Sequence, residues 1–141
     1  MPLTNRSHQA LLNSLAGKTS AFGALASAPT LCLALSTTAP TMAGGNVTPP
    51  AGGSYARVET DAADWAAATD ADPSALANAE IIEFPQATGA WGTITHFAIY
   101  DAATDGNVIA YGALTTARAI VSTDTARFAA GELVINLQSP A

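Results

Sequence analysis

Alternating apolar and polar residues dominate the chain after residue 30 and predict β-strands. Strands are expected at residues 30–36, 54–59, 81–84, 91–101, 107–114, 119–122, 125–129 and 133–137. The segment 91–101 is partly apolar on both faces, which is typical of a central strand. The Asp105-Gly106 pair supplies a positive-φ position after it, as hairpin loops of four to five residues require. Residues 91–114 therefore predict two paired strands joined by a turn.

Residues 4–16 have the periodicity of a short helix. Thr4 or Asn5 can cap its first turn, and Gly17 can end it. The apolar stripe of this helix consists of Leu11, Leu12 and Leu15. A helix of this length is marginal in isolation, so it must dock on its own sheet or on a neighbouring subunit.

Short strands at regular intervals after one N-terminal helix predict a mainly β fold. We expect an antiparallel β-sandwich or jelly-roll-like single domain at residues 28–141, preceded by a helix and arm at residues 1–27. Residues 37–53 are rich in Gly, Pro and Thr without periodicity and predict a projecting or interface loop. Residues 61–79, rich in Ala and Asp, predict an irregular excursion with a helical turn.

The composition narrows the classes of partner. The chain has 49% hydrophobic and 11% charged residues, which suits a surface that contacts other proteins and equally a plain β-domain. Its net charge of −6 argues against nucleic acid, and no basic amphipathic stretch points to a membrane surface. The apolar run at residues 21–35 resembles a signal peptide, but Pro29 interrupts it and a long polar region precedes it. We therefore expect a cytoplasmic product.

No catalytic arrangement follows from the titratable residues. Cys32 is the only cysteine, so no intramolecular disulfide can form, and its apolar neighbours indicate a buried, inert thiol. His96 and Asp101 are five residues apart on one predicted strand and point to opposite faces, so they cannot pair as a base and its orienting acid. We interpret His96 as a half-buried strand residue and expect His8 on the exposed side of the helix.

No metal or cofactor site is predicted either. Counted from Asp70, the sixth and twelfth positions of a calcium loop would be Ala75 and Ile81, where an EF-hand needs Gly and Glu. Trp91 opens a core strand and is expected to pack there. Trp65, in the Ala/Asp-rich excursion, is the aromatic residue that we consider exposed for a ligand or partner.

Four segments resemble a known family: APTLCLALSTTAPT at residues 28–41, GGSYAR at 52–57, FPQATGAWGTITHFAIYDAATDGNVIAYGALT at 84–115 and STDTARFAAGELVINL at 122–137. They are similar to a family of small tailed-bacteriophage virion structural proteins, whose members are labelled variously as head decoration or tail fibre proteins. WGTITHFAIYDAATDGN is the most specific part. The resemblance implies a non-enzymatic virion component with a β-sandwich core and no catalytic residues.

Within this resemblance we expect a capsid decoration (cement) protein. It would bind the outer surface of the major capsid protein shell, stabilise it by linkage, and self-associate there as a trimer or other oligomer. The alternative is a tail or tail-fibre tip component that contacts the host surface. Coiled-coil heptads and β-helix repeats are absent, which favours a compact tip over a long fibre. A virion-associated hydrolase is a third hypothesis, but no site is assembled for it.

The expected contact surface has two parts, the helix and the loop at residues 41–53. The predicted partner-binding residues are Leu3, Leu11, Leu12 and Leu15 of the helix, Thr41, Met42, Val47, Pro49 and Pro50 of the loop, and Trp65. These residues are apolar or uncharged, so a partner could cover them with little desolvation of charge.

Overall fold

The computed structural model of the chain describes residues 3–18 and 28–137, and it is mainly β. Its elements are α1 (Asn5–Leu15), β1 (Cys32–Ser36), β2 (Val58–Glu59), a 3₁₀ turn (Ala62–Asp64), β3 (Ser74–Ala77), β4 (Ile82–Glu83), β5 (Gly92–Tyr100), β6 (Val108–Ile120), β7 (Arg127–Phe128) and β8 (Val134–Leu137). The paired strands are antiparallel. The predicted fold class, mainly β with antiparallel sheets and one short N-terminal helix, is confirmed.

Helix α1 begins and ends close to where the sequence predicts. The Thr4 side chain accepts a hydrogen bond from the backbone N–H of Ser7, which satisfies one of the donors left free in the first helical turn. At the other end, Gly17 adopts φ of +71°, a conformation that glycine reaches without strain.

The prediction that His8 is exposed is wrong. His8 is 1% exposed, and Leu12 and Ala16 are also buried. These positions are separated by four residues, so they share one face of the helix. That face packs in the same compact unit as β3, and it takes the histidine into the interior with the two apolar residues.

One compact unit contains α1, β3 and β8. It comprises Met1–Pro29, Asp61–Ile82 and Phe128–Ala141. Strand β3 pairs antiparallel with β8, from Ser74 opposite Leu137 to Ala77 opposite Val134. Sequence analysis assigned no strand to this part of residues 61–79, because a four-residue SALA segment carries only one large apolar side chain. The predicted domain boundary after residue 27 stays a prediction, and residues 19–27 lie outside the described part of the chain.

The second compact unit is built on a four-stranded sheet. It comprises Thr30–Thr60 and Glu83–Arg127, and its strand order is β2-β1-β5-β6. All five residues of β1 are buried, as expected for a strand with neighbours on both sides. The buried Cys32 confirms the prediction for the thiol. A further two-stranded sheet pairs β4 with β7.

Strands β5 and β6 form the predicted hairpin, but β6 is longer than predicted. It runs through residues 115–118, which separated two predicted strands. Its register against β5 shifts between Ile94 and His96 and again between Ile99 and Tyr100. Extra residues in β6 accommodate these shifts as bulges, so one strand replaces the two that the hydrophobic pattern indicated.

Three aromatic rings pack together in the second unit. Trp91 is 3% exposed, and its ring centroid lies 5.3 Å from that of Tyr55 and 6.4 Å from that of Phe84. Both pairs meet edge to face, the arrangement that aromatic quadrupoles favour. The indole N–H of Trp91 donates to the carbonyl of Gly53 at 2.8 Å. The predicted core role of Trp91 is confirmed.

Candidate functional site

The predicted contact loop is held in shape by its own hydroxyl side chains. Ser36 Oγ accepts the backbone N–H of Thr48 at 3.0 Å and donates to the carbonyl of Thr38 at 2.8 Å. The Thr38 hydroxyl donates to the carbonyl of Asn46 at 2.6 Å, and the Asn46 amide donates to that of Ala39 at 2.7 Å. These bonds join both limbs of the loop, so its shape is set before any partner arrives.

Met42 stands at the tip of this loop. The backbone N–H of Thr41 donates to the carbonyl of Gly45, and that of Gly44 donates back to Thr41, which closes a tight turn. The Met42 side chain is 91% exposed on that turn. A flexible apolar side chain on a fixed turn is suited to protein contacts, because methionine adapts to irregular apolar surfaces.

The other predicted loop residues differ in exposure. Thr41 and Pro49 are exposed and Val47 is half-buried, so these three offer some surface beside Met42. Pro50 is buried and offers almost none. Every predicted loop residue except Pro50 therefore keeps some surface available to a partner.

The helical part of the predicted surface is narrower than expected. Leu3 is 51% exposed and Leu11 is 44% exposed, while Leu15 is half-buried. Leu12 is 4% exposed and packs inside its own compact unit. Only Leu3 and Leu11 of the helical set present substantial apolar area. The helical and loop residues belong to different compact units.

The prediction that Trp65 is exposed is wrong, because its side chain is 2% exposed. Asp61 caps the 3₁₀ turn Ala62–Asp64, and the chain then enters an isolated bridge between Trp65 and Asn78. Trp65 is thus paired with a neighbouring segment, and its indole is buried in the interior. Trp65 therefore cannot serve as a stacking platform for a sugar in this conformation.

Sequence analysis missed the organisation of the β5–β6 hairpin tip. The guanidinium carbon of Arg57 lies 3.4 Å from the ring centroid of Tyr100, a close cation–π contact. Its Nη1 also donates to the carbonyls of Ala102 at 2.9 Å and Asp105 at 2.7 Å. Arg57 directly precedes β2, so these contacts link the hairpin tip to the start of β2. The SYARVE alternation gives no signal for this, because the partners are distant in sequence.

Asp101 closes the same tip from within. Its carboxylate accepts the backbone N–H of Asn107 at 2.7 Å and the Asn107 side-chain amide at 3.1 Å. These hydrogen bonds stabilise the ionised form and lower the pKa of Asp101 below its ordinary value. Asp105 and Gly106 both adopt positive φ, so the turn chemistry differs from the single such position predicted.

The histidines are not paired with carboxylates by hydrogen bonds. His8 Nδ1 is buried without a hydrogen-bond partner, and it lies 3.9 Å from Asp72 Oδ1. His96 is half-buried, as predicted, and its Nδ1 lies 2.8 Å from the hydroxyl of Thr95. Burial, followed by the nearby Glu59 charge, raises the pKa of the Cys32 thiol, which disfavours the reactive thiolate.

Two features of residues 3–18 and 28–137 bear on metal binding and on membrane crossing. No three His, Cys, Asp or Glu side chains in these ranges are grouped so that they could hold a metal ion. No helix there has the length and apolar character needed to cross a membrane. What the described residues do provide is a pair of hydrogen-bonded loops, at residues 37–53 and 101–107.

Comparison with protein families gives a match over almost the whole chain. A family model described as Podophage GP4 fiber I protein gp80 matches residues 2–136. No curated protein matches the sequence. The matched range includes α1, both loops, three of the four segments on which the resemblance to virion proteins rested, and all but the last residue of the fourth. The chain belongs to the Podophage GP4 fiber I protein gp80 family, a family of phage virion structural proteins.

Proposed function

We propose that this chain is a structural component of a phage tail fibre. The observation that carries the proposal is the family match over residues 2–136, because the family description names a fibre protein. That description supports the tail-fibre alternative better than the capsid decoration role, which sequence analysis placed first. Most of the strands are short, and the sequence has no heptad repeat. Both observations favour a short fibre part or tip over a long shaft.

The loop at residues 37–53 suits a fibre component that joins other virion proteins. Its limbs are fixed by the hydroxyl groups of Ser36 and Thr38, so little conformational entropy remains to be lost on docking. Its tip presents the exposed Met42 side chain. We assign this tip as a contact point with a neighbouring fibre or tail protein.

A co-sedimentation experiment tests the role. The purified chain would be mixed separately with isolated tails lacking this protein and with capsid shells, and each particle would be pelleted. We expect saturable binding to tails at a few copies per particle. Saturable binding to shells at hundreds of copies would overturn the proposal. It would favour capsid decoration, with the major capsid protein as the partner.

Variants of two neighbouring leucines test the helical surface in the same assay. Leu11→Ser changes an exposed side chain and should weaken tail binding if α1 docks on a partner, with the fold unchanged. Leu12→Ser changes a buried one and should instead destabilise the chain. Met42→Ser tests the loop tip, because it removes the exposed apolar group and leaves the hydrogen bonds of the loop in place. Unchanged binding by Leu11→Ser and Met42→Ser would remove both contact points from the proposal.

A further inference from the structure

Strand β6 leaves one edge of its sheet without a strand partner. It is the last strand in the order β2-β1-β5-β6, so β5 covers only one of its edges. Among the described residues, no other strand or loop backbone hydrogen-bonds along its outer edge. An edge of this kind can template pairing with another strand.

Residues 108–117 of β6 lack the charged side chains and prolines that commonly block such pairing. Edge strands are commonly protected by charges, especially Lys, or by Pro. Residues 106–117 contain no charged residue and no Pro. The side chains of Ile109 and Tyr111 are 36% and 37% exposed, so apolar area lies on the same strand. The two bulges flank the regular run of residues 110–113 and leave it intact.

The charges at the two ends of β6 are opposite in sign. Arg118 lies near one end, and the hairpin tip with Asp101 and Asp105 lies at the other. Neither Arg118 nor Asp105 forms an ion pair with another described residue. The pKa of Asp101 is lowered, so this carboxylate is ionised at neutral pH. Each end of the strand thus offers a charge that an antiparallel copy could complement.

The register against β5 shows where such a copy would be centred. Arg118 pairs with Ile94, which lies three residues from Phe97. At the other end, the N–H of Asp101, three residues beyond Ala98, donates to the carbonyl of Asn107. Measured along β5 from Ala98, the Arg118 end is four residues away and the acidic tip begins three residues away. This count along β5 already allows for the bulges in β6.

We propose that two copies of this chain pair through the outer edges of β6, antiparallel, about a two-fold axis that sets Tyr111 opposite Tyr111 of the second copy. Tyr111 is the β6 partner of Ala98, whose backbone groups face β1, so the N–H and C=O of Tyr111 face the free edge. The pairing sets the two partly exposed Tyr111 rings beside each other across the axis. It also brings each Arg118 to the acidic tip of the other copy.

Charge complementarity favours a second copy over an unrelated strand. A two-fold axis makes the same contact twice, so one cation and one acidic tip per chain suffice for two matched ends. Parallel pairing would set Arg118 against Arg118 and one acidic tip against the other. This inference does not depend on the proposed fibre role, since it concerns the purified chain alone.

Sedimentation velocity of the full-length chain over a concentration series tests the pairing. We expect a monomer–dimer equilibrium for the natural sequence that weakens as salt is added, because the end contacts are exposed. Arg118→Glu should raise the dissociation constant by about tenfold or more, since it replaces two attractive contacts by repulsive ones. Asp105→Lys should act similarly. The combined Arg118→Glu, Asp105→Lys chain should recover much of the lost affinity, because the charges are again opposite.

A second pair of variants tests the centre of the contact. Tyr111→Asp places two like charges beside the axis and removes the ring, so it should abolish the dimer. Ile81→Asp is the matched control, because Ile81 is 55% exposed and lies outside β6. Circular dichroism would establish that each variant is folded. A natural chain that stays monomeric throughout the series would overturn the proposal, and so would a dimer indifferent to Arg118→Glu and Tyr111→Asp.

Discussion

Each of the two compact units is stabilised internally by a different kind of interaction. In the unit that contains α1, β3 and β8, buried amide side chains hydrogen-bond the backbone of distant segments. The unit built on the four-stranded sheet contains a fully buried central strand and three packed aromatic rings. The first unit depends on hydrogen bonds, which are directional, and the second on the burial of apolar side chains. Single substitutions should therefore affect the two units in different ways.

Asn78 shows how the first unit is joined. Its amide nitrogen donates to the carbonyls of Glu80 and Ala129, both at 2.8 Å, and its amide oxygen accepts the N–H of Leu133 at 2.9 Å. The residue is 2% exposed. Asn13 makes a similar link from α1, accepting the N–H of Ala68 at 2.8 Å. Three of these bonds join the buried amides to backbone groups 51 to 55 residues away, at Ala129, Leu133 and Ala68.

The largest effect is expected in the aromatic cluster. Trp91→Ala removes a fully packed ring and should lower the free energy of unfolding by about 3–5 kcal/mol, through lost burial and the cavity left behind. Urea denaturation followed by circular dichroism measures it. Tyr111→Ala, at an exposed aromatic residue, is the control and should change stability by less than about 0.5 kcal/mol in the monomer. If Trp91→Ala costs no more than this control, buried area is not what stabilises the sheet unit.

The next effect is expected at Asn78. Asn78→Ala leaves the buried N–H of Leu133 without its partner, whereas the exposed carbonyl of Ala129 keeps the N–H of Glu132. It should cost about 1–3 kcal/mol, the usual penalty for one unsatisfied buried group. Hydrogen exchange at Leu133 should accelerate along with the loss of stability. Asn136→Ala is the control, because Asn136 is exposed on β8. Equal effects of the two substitutions would show that the amide bridges do not distinguish this unit.

The units also differ in how well sequence predicts them. The hairpin of β5 and β6, the buried β1 and the packing of Trp91 follow from strong local alternation and large apolar side chains. Strand β3 and the burial of Trp65 were missed because they depend on pairing with segments distant in sequence. His8 was misplaced for the same reason, since only the docked partner decides which face of a short helix is buried.

Predicting the contact residues was harder than predicting strands. Met42 and Leu11 are exposed as a contact role requires, whereas Leu12 and Trp65 are buried. The sequence does not show whether an apolar side chain faces the core or a partner. Only the structure distinguishes the two cases. The role of Arg57 had no local signal at all.

A smaller effect is expected at the hairpin tip of the sheet unit. Arg57→Lys keeps the charge but loses the planar group that stacks on Tyr100 and binds the carbonyls of Ala102 and Asp105. It should cost about 1 kcal/mol, the usual net value of such hydrogen bonds, and should broaden the NMR signals of residues 101–107. Arg127→Lys, at an exposed arginine, is the control. Unchanged tip signals in Arg57→Lys would mean that the tip is held by Asp101 alone.

The smallest effect is the pH dependence of Asp101. Hydrogen bonds from Asn107 lower the pKa of this carboxyl in the folded chain, so the native state favours the ionised form more than the unfolded state does. Its contribution is therefore complete above the ordinary aspartate pKa of about 4 and is lost as the pH falls through the lowered folded value. Asp101→Asn should remove that part of the acid dependence, so the stability difference between the natural chain and the variant should shrink as the pH is lowered below about 4. Asp124→Asn is a useful comparison, because the Asp124 carboxylate accepts one backbone N–H, from Val121. A difference between natural chain and Asp101→Asn that stays constant from neutral to acid pH would show that the two hydrogen bonds do not favour the charged form.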